Sequence, residues 1–361
     1  MKPARIARHW PVAVPLAAAA LLVAAVLLPP HPVLSFVLGA ALVAAVLAAV
    51  HHAEVVAHKL GEPLGTLVLA LAVTVIEVAL ILAMMLSGGP ASAVLARDTV
   101  YAAVMIICNG VVGFSILVGG IHHHEQSFRV EGAGPALAAL VALSTLTLVL
   151  PSFTTSAPGG AYLPSQLVFV GVDSLVLWGV FVFVQTVRHR DYFLPPGTNA
   201  DAESHLPPPS AAAAMTSAAL LLVSLVAVVG LAKALSPTIE ALVKATGAPD
   251  SVVGIAIAML VLLPETLAAL RAAAANRLQT SMNLALGSAL ASIGLTIPAV
   301  VTASLLFGLP VVLGLDPKNL VLLALTFVVG AITLASGRTS IMQGAVQLVV
   351  FATFLFLSLV P

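Results

Sequence analysis

The chain has 361 residues, of which 61% are hydrophobic and only 8% are charged, and its mean hydropathy is +1.16. A soluble domain normally carries about 25% charged residues, so this composition excludes a water-soluble globule and indicates a polytopic membrane protein. The formal net charge of zero gives no reason to expect a nucleic-acid partner, and the single cysteine excludes an internal disulfide.

Apolar runs long enough to cross the hydrocarbon core follow one another along the chain. Their limits are set by Pro/Gly clusters and by charges. The eleven predicted helices are residues 11–29, 33–50, 64–86, 98–120, 134–150, 163–187, 211–233, 251–270, 281–304, 319–336 and 339–360. The first follows a basic N-terminus, as in a signal peptide, but its apolar run exceeds the usual length of about 7–15 residues. We therefore expect this helix to be retained.

The lysines and arginines predict the orientation of these helices. With the N-terminus inside, the inner segments hold ten of the fourteen basic residues and the outer segments hold four. Basic residues concentrate on the cytoplasmic side of membrane proteins. The sequence therefore predicts a multi-pass protein with a cytoplasmic N-terminus and, after eleven spans, an external C-terminus.

Two distant segments are similar, "AEVVAHKLGEPLGTLVLALAVTVIE" and "IEALVKATGAPDSVVGIAIAMLVLLPE". In each, a glutamate lies seven residues before a glycine and nine before a proline, and an apolar helix then leads to a second glutamate. The first glutamates are Glu54 and Glu240, and the second are Glu77 and Glu265. These matched offsets predict an internal repeat.

The repeat predicts an all-α integral membrane protein with two five-helix copies. Residues 1–32 form an extra N-terminal helix, 33–187 the first copy, 188–210 a polar cytoplasmic linker and 211–361 the second copy. Because five is odd, the copies insert with opposite orientation. Inverted repeats with polar sites near the midplane are a transporter architecture.

The second glutamates, Glu77 and Glu265, lie within apolar helices. An acidic residue at a helix centre costs about 2.5–3.5 kcal/mol on insertion scales, so it usually faces protein, water or an ion. Two carboxylates that converge at the midplane suit a hard cation such as Ca²⁺. They also suit protons, because desolvation and mutual repulsion favour the neutral acid. The alternative is a neutral glutamate that joins helices by hydrogen bonds.

Small polar residues near these glutamates are further candidate ligands. Thr74 lies one turn before Glu77 on the same helix face, and Asn109 and Ser288 open the helices that follow the two glutamate helices. Each could supply an oxygen to the same cation. For Asn109 and Ser288 helix packing is an equal alternative, since small polar residues are common at membrane helix interfaces.

Other ionisable residues are accessory candidates. Glu54 and Glu240 start amphipathic segments and are either entrance groups or solvated helix ends, while Asp173 is a third intramembrane carboxylate without a repeat partner. The cluster His122, His123 and His124 is either a solvated surface or a pH sensor, because histidine titrates near neutral pH.

Three stretches carry a family resemblance: "GEPLGTLVLALAVTVIEVALI", "FRVEG" and "LLPETLAALRAAAANRLQTSMNLALGSALASIGLTIP". They resemble the cation/calcium exchanger (CaCA) superfamily and, within it, the bacterial calcium/proton antiporters of the ChaA type. In that superfamily an acidic helix is followed by a helix with a small polar residue. This chain departs from the broader pattern, since the small polar run before Glu77 is reduced to Thr74 and Leu262–Pro264 precede Glu265. The departure favours proton coupling over sodium/calcium exchange.

The resemblance implies a secondary transporter of a bacterial inner membrane that exchanges cytoplasmic Ca²⁺ for external H⁺. The alternative is an Na⁺(K⁺)/H⁺ antiporter of the same fold; an intramembrane hydrolase or a scaffold that transports nothing is more remote. No HExxH or GxxxxGK[ST] motif occurs, which argues against a metalloenzyme and an ATP-driven pump. The expected partners are inorganic cations, protons and lipid, and we expect no cofactor.

Overall fold

The structure is a computed structural model that describes residues 6–28, 31–61, 64–87, 92–194, 209–247, 249 and 251–360. This part of the chain contains eleven helices that are long and apolar enough to cross a membrane, as predicted. They are α1 Ile6–Leu27, α2 Pro32–Leu60, α3 Leu64–Ser87, α4 Leu95–His123, α5 Val130–Ser152, α6 Pro164–Arg188, α7 Ala211–Thr246, α8 Ser251–Ala274, α9 Leu278–Phe307, α10 Pro317–Ala335 and α11 Ile341–Leu359.

Prolines mark several of the helix starts, which is why Pro clusters predicted the boundaries. Helices α2, α6 and α10 begin at Pro32, Pro164 and Pro317. Proline is tolerated in the first helical turn, where its missing N–H would have no intrahelical partner. The carboxylate of Asp316 caps α10 by accepting the Asn319 amide hydrogen at 2.9 Å.

Helices α2 and α7 extend about ten residues beyond their predicted ends. Glu54 and Glu240, predicted to start amphipathic segments beyond the apolar spans, lie inside these two helices. Apolarity defines a membrane span but is not needed for a helix to continue beyond it. Both helices stop at a glycine with positive φ, Gly61 at 68° and Gly247 at 65°, a backbone region that glycine adopts more readily than any other residue.

The helices form two compact units. In the first unit, α2 packs against α1, α3 and α7, and α3 also packs against α7. The second unit holds α4–α6 and α8–α11; within it α8 packs against α4 and α9, α9 against α5 and α6, and α11 against α4. Neither unit matches a predicted five-helix copy, and those copies remain a prediction from the sequence.

At one end of the second unit, three loops predicted to lie inside meet one another. Strand β1 (Gln126–Ser127), after α4, pairs antiparallel with β2 (Arg338–Thr339), before α11. The side-chain amide of Gln126 also donates to the Ala273 carbonyl at 3.0 Å, at the end of α8. The strand pair joins loops that are far apart in sequence but share a membrane face in the predicted topology.

At the other end of this unit, segments predicted to lie outside meet. Arg97 donates through Nη1 to the Gly314 carbonyl at 3.1 Å, and the Gly314 amide donates to the Gly160 carbonyl at 2.9 Å. Ser152 donates to the Leu315 carbonyl at 2.7 Å. Within the second unit the predicted inner and outer loops are therefore sorted to opposite ends.

Candidate cation site

In the first unit, the predicted ligands Thr74 and Glu77 both lie on α3 and are buried. The Glu77 side chain is 3% exposed and that of Thr74 is 7% exposed. Glu77 lies three positions after Thr74, so the two share one face of the helix. An ionisable group inside an apolar membrane helix marks a functional site by default, and the threonine hydroxyl adds an oxygen beside the carboxylate.

In the second unit, Glu265 is half-buried on α8 and lies at a small cavity between α8, α4 and α9. Ser288, the predicted ligand on α9, lines the same cavity. The structure therefore brings these two predicted ligands together. The other lining residues are Ile107, Val111, Leu262, Thr266 and Ala285.

Pro264 shapes the backbone beside this cavity. Proline has no N–H, so the carbonyl four residues earlier, on Leu260, lacks the hydrogen bond that an α-helix would give it. Two residues after Pro264, the Thr266 hydroxyl donates to the Leu262 carbonyl at 2.7 Å. A hydroxyl whose hydrogen is already donated presents lone pairs, which is the state in which it can contact a cation.

Thr266 was missed by the sequence interpretation. It follows Glu265 directly in the chain, and adjacent residues of a helix do not share a face. The cavity is formed between helices, however, and residues from more than one side of α8 reach it. The only sequence signal for Thr266 was that its hydroxyl follows Glu265 in the chain.

Asn109 lies in a π-helical segment of α4, Ile106–Val111. Its side-chain nitrogen donates to the Thr326 hydroxyl at 2.9 Å, and that hydroxyl donates to the Leu322 carbonyl at 2.8 Å. Because Thr326 has used its hydrogen, it must accept from Asn109, which fixes the amide orientation. Asn109 Oδ1 is buried and has no hydrogen-bond partner among the described residues.

Asn109 does not line the Glu265 cavity, although its neighbours Ile107 and Val111 do. The π-helical turn changes which side chains face the cavity, and such single-turn bulges are frequent at functional sites. The predicted role of Asn109 as a direct cation ligand therefore stays a prediction.

The accessory candidates Asp173 and Glu54 lie on different helices. Asp173 is half-buried on α6, and Glu54 is exposed on α2. The side chain of Glu240 lies outside the described part of the structure. Their predicted functional roles stay predictions.

The histidine cluster lies at the end of α4. His123 Nε2 is 2.9 Å from the carbonyl of Ala274, the last residue of α8, and His122 Nδ1 is 2.8 Å from the Val118 carbonyl. A carbonyl only accepts, so both ring nitrogens carry hydrogen. His123 thus connects α4 to the end of the helix that carries Glu265.

Asp98 is a buried carboxylate that the sequence interpretation missed. Its side chain is 7% exposed on α4, and Arg97 Nε lies 2.8 Å from its Oδ1. Helix α8 approaches closely here, because a Cβ at Gly254 would lie 2.9 Å from the Thr99 backbone nitrogen. The pair lies at the boundary of a predicted span, and apart from the small residue Gly254 the sequence contains no signal that α8 covers it.

Eleven membrane helices that bury carboxylates beside hydroxyl oxygens define a class of ion transporter. Comparison with known families agrees: the family described as sodium/calcium exchanger protein matches residues 30–187 and 216–360. The chain belongs to this family, which confirms the predicted resemblance.

Two known bacterial proteins are similar to this one along most of the chain. The putative ionic transporter y4hA of Sinorhizobium fredii is 48% identical over 342 residues, covering 92% of this chain and 91% of that protein. The sodium-potassium/proton antiporter ChaA of Escherichia coli is 34% identical over 308 residues, covering 85% and 83%. Both relatives carry the names of ion transporters.

Solved structures share the fold. Native YfkE has a TM-score of 0.74 at 18% identity and covers 96% of this chain and 99% of its own. The H⁺/Ca²⁺ exchanger CAX has a TM-score of 0.71 at 14% identity, covering 96% and 88%. At these identities the likeness establishes the architecture of the chain.

Proposed function

We propose that this protein is a secondary active transporter that exchanges cytoplasmic Ca²⁺ for external H⁺ across a bacterial inner membrane, with its N-terminus in the cytoplasm. Glu77 and Glu265 form a shared site near the midplane that holds either the cation or protons. The observation that carries the proposal is the buried Glu77 carboxylate within an otherwise apolar α3, which the sequence repeat pairs with Glu265.

The oxygen set around these glutamates supports a hard cation. Thr74 accompanies Glu77, and Thr266 and Ser288 line the Glu265 cavity. Carboxylate and hydroxyl oxygens suit Ca²⁺ and Na⁺ rather than soft metals. A site that is costly to leave empty and charged couples the two ions directly, because each ion leaves only when the other replaces it. No cofactor enters this mechanism, and the cations are substrates.

An Na⁺(K⁺)/H⁺ antiporter of the same fold is the second candidate, and one observation favours it. The relative from Escherichia coli, 34% identical to this chain, is named a sodium-potassium/proton antiporter. The exchanger CAX, similar in fold, is named for H⁺ and Ca²⁺. Cavity size and ligand number decide between these cations.

Proton flux in everted vesicles, reported by a pH-sensitive dye, tests the proposal with Ca²⁺, Na⁺ and K⁺ added separately. Glu77→Gln and Glu265→Gln should each abolish exchange while the protein remains inserted, because glutamine keeps the volume but loses charge and titration. The Ca²⁺ response should be the largest. Normal exchange by either variant would refute the shared site, and a response to Na⁺ or K⁺ alone would select the second candidate.

A further inference from the structure

Helix α1, which lies outside the predicted repeats, contacts α2 through two pairs of consecutive residues. The rings of Trp10 and His51 have centroids 5.1 Å apart, and His52 Nε2 lies 2.7 Å from the Pro11 carbonyl oxygen. We refer to these four residues as the histidine latch. All four belong to the first unit.

Pro15 explains why a side chain can bond to this carbonyl. In an α-helix the Pro11 carbonyl would accept the N–H of the residue four positions later, and that residue is Pro15, which has none. The carbonyl is thus left for an external donor, and an unmade hydrogen bond in an apolar environment is costly. His52 supplies the donor.

The hydrogen bond also fixes the protonation pattern of His52. A carbonyl accepts only, so Nε2 carries the hydrogen, and in the neutral ring Nδ1 presents a lone pair. His52 is 3% exposed, and its Nδ1 is buried without a hydrogen-bond partner in the described part of the chain. The pocket therefore matches a neutral imidazole.

We propose that the histidine latch is a proton sensor that holds α1 on α2 while His52 is neutral and releases it when His52 is protonated. A proton on Nδ1 adds a charge and a donor to a site that offers that donor no acceptor, and both are expensive to bury. The neighbouring His51 ring, 5.5 Å away, adds repulsion when it is also charged. Protonated His52 is stable only after turning toward water, which breaks the bond to Pro11.

The other charged or titratable groups described on the helices of this unit form no hydrogen bond to His52. On α2 they include the exposed Glu54, and the Glu77 carboxylate lies on α3. The remaining described groups are His9 on α1, His58 and Lys59 on α2 and Lys233 on α7, all exposed. None donates to or accepts from His52, whose hydrogen bond in the described structure is the one to Pro11.

The predicted topology indicates which side of the membrane the sensor faces. Helix α1 begins and α2 ends at the inner face, so the latch reports cytoplasmic pH. An exchanger that admits protons as it exports cations acidifies the cytoplasm. Release of the latch at low cytoplasmic pH would then slow the exchange. This regulatory role rests on the proposed function, whereas the release itself does not.

Fluorescence of Trp10 measures the release directly. The chain has two tryptophans, so Trp178→Phe leaves Trp10 as the single reporter in detergent or liposomes. Acidification from about pH 7.5 to 4.5 should shift its emission reversibly; this range extends below the one in which histidine usually titrates, because a charge on buried His52 is costly. His52→Gln keeps an N–H donor but cannot titrate and should lose the shift, while the matched control His58→Gln, at an exposed histidine of α2 outside the latch, should retain it. An unshifted parent, or an equal shift in His52→Gln, would overturn the proposal.

Exchange in everted vesicles, whose cytoplasmic face is outward, tests the regulatory role. At saturating cation and a fixed pH difference across the membrane, the parent rate should fall as both sides are acidified together, and the His52→Gln rate should fall less. The apparent cation affinity should depend on pH in both proteins because the glutamates remain. Coinciding rate profiles would overturn the regulatory role of the latch; a pH-independent affinity in both would instead overturn the shared glutamate site.

A second variant covers the case in which His52→Gln does not insert. Pro15→Ala restores the N–H that the Pro11 carbonyl lacks, so it should compete with His52 and weaken the latch at every pH. The Trp10 emission should then resemble the acid form of the parent already at neutral pH. A parent-like response of Pro15→Ala would count against the proposal.

Discussion

At the scale of single residues, the two glutamates differ in their surroundings. Glu77 is fully buried on α3, whereas Glu265 is half-buried at a cavity with two hydroxyl side chains. The two carboxylates could be identified as candidate ligands from the sequence because charged residues are so rare in apolar helices. The Thr266 hydroxyl could not be identified in this way, because threonine is common in membrane helices and most often bonds to its own backbone.

Thr266→Val should weaken the apparent cation affinity about fivefold, the equivalent of about 1 kcal/mol for one lost polar contact. Valine has nearly the same shape but no oxygen, while Thr266→Ser keeps the oxygen and should behave like the parent. The matched control is Thr302→Val, because the Thr302 hydroxyl also bonds to its own helix, at the Pro298 carbonyl. Concentration dependence of proton flux is the measurement; equal effects at both sites would exclude a role for Thr266 in the cavity.

At the scale of helices, prolines and glycines made the helix boundaries predictable. The local geometry and the burial within each helix depend on packing and could not be predicted. Gly61 and Gly247 end α2 and α7 at matching repeat positions. The π-helical turn in α4 and the burial of Asp98 depend on which helices lie alongside. A single sequence carries that information only in the small residues that permit close approach, such as Gly254.

Gly254→Ala should destabilise the second unit by about 1–3 kcal/mol, the usual cost of overpacking. The added methyl would lie 2.9 Å from the backbone of α4 at Asp98 and Thr99, and backbone cannot yield as a side-chain tip can. Gly179→Ala on α6 is the matched control, because nothing lies within 4 Å of its Cβ position. Thermal unfolding in detergent gives the comparison, and equal midpoints for the two variants would contradict the close contact.

At the scale of the whole molecule, the sequence predicted the class, the number of spans and the alternation of the loops. It did not predict the two compact units, the first of which holds α7 together with α1–α3. A repeat is a property of chain order, and helices bury their faces against whichever neighbours fit. The pairing of Glu77 with Glu265 follows from the repeat and stays a prediction.

If the site binds either a cation or protons, the apparent Ca²⁺ affinity should rise with pH until the carboxylates are deprotonated. Lower pH protonates the same oxygens that hold the metal and must weaken binding. Proton flux or isotope uptake at several Ca²⁺ concentrations and pH values measures this. An affinity that does not change with pH would mean that cation and proton do not share oxygens.

The predicted orientation of the molecule determines the direction of transport and can be tested with two introduced cysteines in a Cys108→Ala background. Ser127, on β1, and Ser156, in the loop before α6, are both exposed in the structure. Each thiol is therefore free to react wherever the reagent reaches it. In intact cells an impermeant thiol reagent should label Ser156→Cys and spare Ser127→Cys, and permeabilisation should allow both to react. The reverse pattern would invert the protein in the membrane, and with it the side from which Ca²⁺ enters and the side on which the histidine latch senses pH.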